Sequence, residues 1–273
     1  MKRSYIKGTV HSNIQIANNI YELKVGQSLF TPQNSKECDP EMDSISLTFE
    51  GTQQVLGFQG SPGQFYMIKS WELDPFLSRP LSICNISNNM ITFLYEIRGK
   101  GTKILSKLNT GSTLELLGPL GNGFNLNLEA NIAIISGGIG IAPMIYLIEQ
   151  LNGNIDFYCG FRNQIYYIDK IKNKVRNTYI TTEDGSIGHK GFITELFVPE
   201  KYDTVLTCGP IPMMKKIVEM CREKGIPAYI SMENRMACGF GACLGCTIET
   251  ISGMKRVCKD GPVFLGEKVV FND

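Results

Sequence analysis

At 273 residues, 43% of them hydrophobic, the chain is long enough for two domains and a small appendage, and its composition is that of an ordinary globular protein. Its 27 basic and 26 acidic side chains nearly cancel, with no long basic stripe, which argues against nucleic acid and acidic lipid surfaces as partners. Residues 1–8 carry early positive charge with no apolar run after them, so no secretory signal is read, and nine cysteines without one point to a reducing cytoplasm.

From residue 1 to about 128, short β-type runs such as 64–68 and 90–95 are separated by Gly, Asn and Pro, which predicts an antiparallel sheet or barrel. Residues 26–60 break that rhythm with polar content around Pro32, Asn34, Cys38 and Pro40, then a short run at 45–49. They read as a surface excursion, with a partner-binding device as the alternative. The string Arg79, Pro80, Leu81, Ser82 joins a fixed cation, a rigid proline and a small hydroxyl, suited to a phosphate oxygen and a flavin ring edge. Leu94, Tyr95 and Glu96 then end a strand ahead of Gly101 and Thr102. There Tyr95 suits covering a ring and Thr102 a phosphate, although an exposed hairpin end has the same appearance.

From about 129 to 225 the pattern changes. Apolar runs at 131–135, 155–158, 178–181 and 204–207 alternate with helical stretches at 144–151 and 212–224, predicting a parallel, doubly wound α/β sheet. Residues 131–148 hold no charge, but Gly137, Gly138, Gly140 and Pro143 divide them into strand, turn and buried helix, not a membrane span. A glycine turn opening a helix suits a pyrophosphate, although the spacing is not Gly-x-Gly-x-x-Gly. A second turn, Cys208, Gly209, Pro210, follows another strand; Met213 and Met214 after it are assigned to the core. Residues 181–186 either line the same crevice or form an acidic surface turn. Cys38, Cys84, Cys159, Cys208 and Cys221 stand singly in mostly apolar contexts and read as small hydrophobes, not as a disulfide framework.

The segment 226–273 is too small to fold without a metal group or a neighbouring domain. Its Cys238, Cys243, Cys246 and Cys258 have the Cys-x4-Cys-x2-Cys…Cys spacing that holds a [2Fe–2S] cluster in plant-type ferredoxins, and Gly239, Gly241 and Gly245 let the loop bend tightly. A structural zinc is the rival for four thiolates, though such sites usually pair two short knuckles.

Taken in order, these motifs resemble the ferredoxin reductase superfamily with a C-terminal cluster. Residues 231–246 and 256–264 are similar to the cluster region of the electron-transfer subunits of B-type dihydroorotate dehydrogenase, and the likeness covers nearly all the chain outside 26–60. The resemblance implies an FAD-binding barrel over 1–128, a nicotinamide-binding α/β domain over 129–225, and a cluster domain over 226–273 that meets a partner subunit carrying FMN. Carried over by position, Arg79, Pro80, Leu81, Ser82, Leu94, Tyr95, Glu96, Gly101 and Thr102 contact FAD. Gly137, Gly138, Gly140, Cys208, Gly209 and Pro210 border the nicotinamide site, Cys208 near the ring without acting as a nucleophile, and the four motif cysteines ligate the cluster. The implied activity is a relay from a dihydroorotate-oxidising partner to NAD in pyrimidine biosynthesis, in a heterotetramer with two copies of each subunit. The small subunit of an NAD(P)H–ferredoxin oxidoreductase or sulfide dehydrogenase, and a non-enzymatic cluster-binding module, remain as alternatives. NAD against NADP stays open, because Arg162 gives no clear 2′ signal.

Overall fold

Alternating apolar residues turn the first part of the chain into strands, and their closure places one core inside a barrel. The computed structural model describes residues 4–27, 57–128 and 131–271; the polar stretch around Cys38 and the run 45–49 lie outside them. Strands β1 (Ser4–Ala17), β2 (Ile20–Gln27), β3 (Phe65–Lys69), β4 (Arg79–Ser87) and β5 (Met90–Glu96) are followed by helix α1 (Lys100–Leu105) and strand β6 (Thr113–Leu120). The strands close antiparallel in the order β1-β2-β5-β4-β3-β6, and Leu23, Val25, Tyr66, Ile83, Phe93 and Leu116 fill the interior. Each such side chain contributes about 1.5–3 kcal/mol of burial. Alternation along β4 turns Ile83 into the barrel and Cys84 outward, and both are buried because a second core covers the outer wall.

The second part builds a seven-stranded sheet. Its elements are β7 (Asn131–Gly137), α2 (Ile141–Gln150), β8 (Asn154–Phe161), β9 (Asn177–Thr182), β10 (His189–Lys190), β11 (Thr204–Cys208), α3 (Ile211–Glu223) and β12 (Ala228–Ser231). Helix α2 is apolar nearly all round because it is wedged between this sheet and the outer wall of the barrel, where Cys84 and Leu94 pack with Met144, Leu147 and Ile134. Pro143 is tolerated because it lies in the first turn. Among the described residues, no helix is long and apolar enough to cross a membrane.

After β12 come β13 (Thr247–Thr250) and β14 (Gly253–Arg256), which pair as a hairpin, then a single-turn helix α4 (Val257–Asp260) and β15 (Val263–Leu265). Sheet order is β10-β9-β8-β7-β11-β12-β15, parallel except for the last strand. The sheet therefore extends past residue 226. Both β12 and β15 belong to the nucleotide-type sheet, so the cysteine segment leaves that sheet and returns to it. One continuous core contains Met67 and Leu120 of the barrel, Val205 and Ile230 of the sheet, and Cys246, Val257 and Cys258.

Candidate functional site

The cysteine loop runs between β12 and β13. Positive φ angles at Gly239 (+77°), Gly241 (+92°) and Leu244 (+59°) fold it back on itself. Cys243 is exposed, Cys238 half-buried, and Cys246 and Cys258 buried. Burial raises the pKa of the Cys238 thiol, but the N–H groups of Cys243, Phe240 and Ala242 converge on its sulfur and the thiol settles at about 6, favouring the thiolate that binds metal. Burial and the adjacent Cys246 push Cys258 up to about 12. The backbone N–H of Cys258 donates to the Cys246 sulfur at 3.4 Å. The thiols thus stand as two pairs, Cys238 with Cys243 and Cys246 with Cys258. Among the described residues no three such donors gather as one ion requires. Two pairs of thiols are the donor set that a two-iron cluster uses.

The loop is seated on the barrel. A Cβ at Gly239 would stand 2.5 Å from Cγ of Met67 and 3.1 Å from Cδ1 of Leu120, so only glycine allows the approach. Met67 is in register with Pro80 on the next strand, and Phe65 with Ser82. Beyond Cys258, Asn122 anchors the chain to the barrel's end: its N–H donates to the Gly261 carbonyl at 2.7 Å and its side-chain amide to that of Lys259 at 3.1 Å.

On the barrel rim, the Arg79 guanidinium lies 5.6 Å from the ring centre of Trp71, and a Cβ at Gly101 would stand 2.7 Å from its Nε. Arg79 Nη1 donates to the Leu77 carbonyl at 2.6 Å. Among the described residues, Ser70 Oγ and Trp71 Nε1 beside this group are buried without a hydrogen-bond partner. Orphaned polar atoms next to a fixed cation fit a polar, phosphate-bearing ligand. Trp71 was not singled out by sequence reasoning; its only signal was being the chain's sole tryptophan.

Two of the rim residues, Tyr95 and Thr102, are engaged within the chain. Tyr95 does not present its ring outward: it is 1% exposed, stacks on Tyr21 at 5.6 Å inside the barrel, and donates to Asn13 Oδ1 at 3.0 Å. Strand alternation turns Leu94 the other way, into the core with α2. The Thr102 hydroxyl is occupied by its own turn, accepting from the N–H groups of Arg98 (3.0 Å) and Gly99 (3.2 Å) and donating to the Gly99 carbonyl (3.1 Å). Glu96 accepts from Arg98 Nε at 2.6 Å.

The two glycine turns meet between β7 and β11, where the strand order reverses. A Cβ at Gly140 would stand 2.4 Å from the Cys208 carbonyl oxygen, and one at Gly209 would stand 2.8 Å from Gly137 N. Backbone therefore touches backbone. Buried hydroxyls of Ser136, Thr207 and Thr181, at or next to the ends of β7, β11 and β9, have no partner among the described residues. Such groups fit a nucleotide laid across the crevice. Burial, with Glu233 adding to it, raises the Cys208 thiol far above its ordinary range against a hydrogen bond from Ser231. Glu233 was also missed by sequence reasoning. Its side chain is exposed and its carboxyl feels both Arg98 and Glu96, so charges from the barrel meet that of the sheet segment at this seam. Met214 is buried, as expected, and Met213 packs against Gly137 and Gly209. Asp184 closes its own turn by accepting from Ser186 N and Oγ at 3.0 and 2.7 Å, which favours the acidic-turn reading of 181–186.

An antiparallel barrel, a parallel sheet whose glycine turns meet at the switch point, and an appended four-thiol loop define the ferredoxin reductase class with an iron–sulfur extension. Among solved structures, the NADH-dependent reduced ferredoxin-NADP oxidoreductase is similar with a TM-score of 0.77 and 25% identity, covering 96% of this chain and 89% of that one. The ferredoxin reductase of carbazole 1,9a-dioxygenase shares the fold, with a TM-score of 0.64 and 19% identity over 84% and 69% of the two chains. Residues 233–270 match the family model of the iron-sulfur cluster binding domain of dihydroorotate dehydrogenase B. The dihydroorotate dehydrogenase B (NAD(+)) electron transfer subunit of Clostridium acetobutylicum is 45% identical over the whole of both chains. That of Clostridium perfringens is 44% identical over 99% and 100% of the two. The chain belongs to the family of electron transfer subunits of NAD-dependent dihydroorotate dehydrogenase B.

Proposed function

We propose that the chain takes electrons, one at a time, from the FMN of a dihydroorotate-oxidising partner, through a [2Fe–2S] cluster on Cys238, Cys243, Cys246 and Cys258, and delivers them by way of FAD as a hydride to NAD+. The observation that carries this reading is the seating of the cysteine loop at Gly239 on Met67, the cross-strand partner of Pro80 in the Arg79–Ser82 string. Thiols and flavin-type motif thereby share one barrel wall. A flavin is required between them because it converts one-electron into two-electron steps.

In this reading Arg79 meets the FAD phosphates, Pro80, Leu81 and Ser82 back the ring, and Gly101 with Thr102 supplies turn backbone alongside. Glu96 borders the same rim, while Leu94 and Tyr95 support it from behind. Gly137, Gly138, Gly140, Gly209 and Pro210 border the nicotinamide nucleotide, with Cys208 as a buried, neutral wall. The units 1–128, 129–225 and 226–273 hold FAD, NAD and cluster in turn, the last lending β12 and β15 to the sheet. The complex is a heterotetramer with two copies of each subunit. A reducing cytoplasm suits the buried free thiols of Cys84, Cys159 and Cys221.

Exposed Cys243 lies between Phe240 and Leu244, two exposed apolar residues, and this is the edge at which the partner delivers electrons. The test is anaerobic titration of the purified chain. NADH alone bleaches flavin and cluster bands, whereas dihydroorotate bleaches them only when the FMN subunit is present. Failure of dihydroorotate to reduce the chain in the assembled complex would overturn the reading.

A further inference from the structure

We propose that Arg256 and Asp260 form a charge-balanced pair that positions the cysteine loop while each member offsets the other's effect on the reduction potential of the cluster it holds; the inference rests on the cluster reading above. Cys258 lies between the two residues in sequence. Asp260 accepts from the backbone N–H of Arg256 at 2.8 Å, from its Nε at 3.0 Å and, through the other oxygen, from Nη2 at 3.2 Å. The remaining guanidinium nitrogen, Nη1, donates to the Gly241 carbonyl at 3.3 Å, in the loop between Cys238 and Cys243. The same Gly241 presents its N–H to the Cys258 sulfur. Gly241 therefore meets the guanidinium through its carbonyl and a ligating sulfur through its N–H, which places the cation one residue's width from the thiols.

The charges are also well placed to act directly. The guanidinium is within Coulombic reach of the Cys258 and Cys246 sulfurs. Side-chain exposures of 28% for Arg256 and 27% for Asp260 leave the pair incompletely screened by water. An electron entering a cluster with four thiolates adds one negative charge, so a nearby cation favours the reduced form and a nearby anion opposes it. With both present the fields largely cancel, and the pair fixes the loop without biasing the potential strongly. Removing either member exposes the other.

This gives predictions of opposite sign. In the holo chain, an EPR-monitored redox titration reads an upward shift in cluster midpoint potential for Asp260→Asn, which leaves the cation unopposed. It reads a downward shift for Arg256→Gln, which leaves the carboxylate. Arg256→Gln/Asp260→Asn returns close to wild type, and Arg256→Lys stays nearer to wild type than Arg256→Gln does. Shifts of the same direction in both single variants, or unchanged potentials with full iron content, overturn the proposal. Iron loss from all variants overturns it too, since the pair would then be a clamp alone. A wild-type chain lacking a two-iron signal would instead sink the cluster reading itself.

Discussion

Gly140 is where a single methyl group has the clearest predicted cost. Its Cβ would fall 2.4 Å from the Cys208 oxygen and 2.6 Å from the Cys208 carbon, both backbone atoms that cannot swing aside. Gly140→Ala must separate the two turns, and a displacement of about 1 Å in a hydride-transfer geometry costs on the order of 100-fold. Stopped-flow reduction of flavin by NADH should slow by roughly that factor, while iron content and the visible spectrum stay unchanged. Asp156 shows a different constraint. Burial raises its pKa, but Arg176 (2.8 and 2.9 Å), Tyr202 (2.8 Å) and Asn177 (3.0 Å) more than offset this and hold the carboxyl below its ordinary range. A depressed folded-state pKa means that the stabilisation is present above the unfolded value of about 4 and is lost as pH falls through the folded one. Thermal melts of Asp156→Asn should therefore lie below wild type at pH 7 and converge with it near pH 3 or lower, and a gap that widens in acid would refute the assignment. The cysteine quartet was legible in the sequence because its spacing is local. Tyr95 was not, because an apolar run such as 90–95 does not state which parity faces inward; only barrel closure sets that.

Strands and helices repeat the lesson at greater length. The helices expected at 144–151 and 212–224 appear as Ile141–Gln150 and Ile211–Glu223, since apolar periodicity and flanking Gly and Pro mark both. Strand β15 was invisible as a partner of β12, because it is three residues long and its pairing is made across the intervening cysteine segment. Equally hidden was the contact of β2 with the turn after β8. Glu22, 4% exposed, accepts from Lys170 Nζ at 2.6 Å, and Lys170 lies 3.9 Å over the Tyr167 ring. Gln164 in the same turn accepts from Asn18 N at 2.8 Å. These contacts tie barrel to sheet from the side opposite the barrel interior, and Lys24 at 3.1 Å adds a second cation. Because Lys170 is half exposed, its charge is partly screened, so loss of the buried acceptor rather than Coulomb energy dominates the cost. Glu22→Ala should lower stability by about 1–3 kcal/mol and increase proteolysis in the turn 162–176, without altering cluster content. Unchanged proteolysis and melting would show that the apolar seam at α2 suffices.

The three functional regions share cores instead of meeting as separate beads, since Met67, Val205 and Cys246 belong to one buried cluster. A shared core fixes relative positions, which suits a relay whose steps depend on distance. It also divides the molecule into an inner and an outer side. Cys246 and Cys258 face the core, while Cys243 faces outward beside Phe240, 42% exposed, and Leu244, 62% exposed. Leu244 is notable because it holds φ at +59°, a region that leucine enters at a cost and asparagine tolerates. Retaining leucine there, on the surface and between two thiols, argues that its side chain is used for contact. Leu244→Asn removes the apolar contact while easing the backbone, so a fold defect cannot explain a loss. The variant should retain full NADH-to-dye activity and iron content, because FAD, nicotinamide crevice and thiols are untouched. Its affinity for the FMN subunit should fall about 10-fold or more, the cost of truncating a central apolar anchor, and dihydroorotate-driven reduction should fall with it at limiting subunit concentration. Equal loss of both activities would place Leu244 within the internal relay, and unchanged affinity would move the partner's docking surface away from the Cys243 edge.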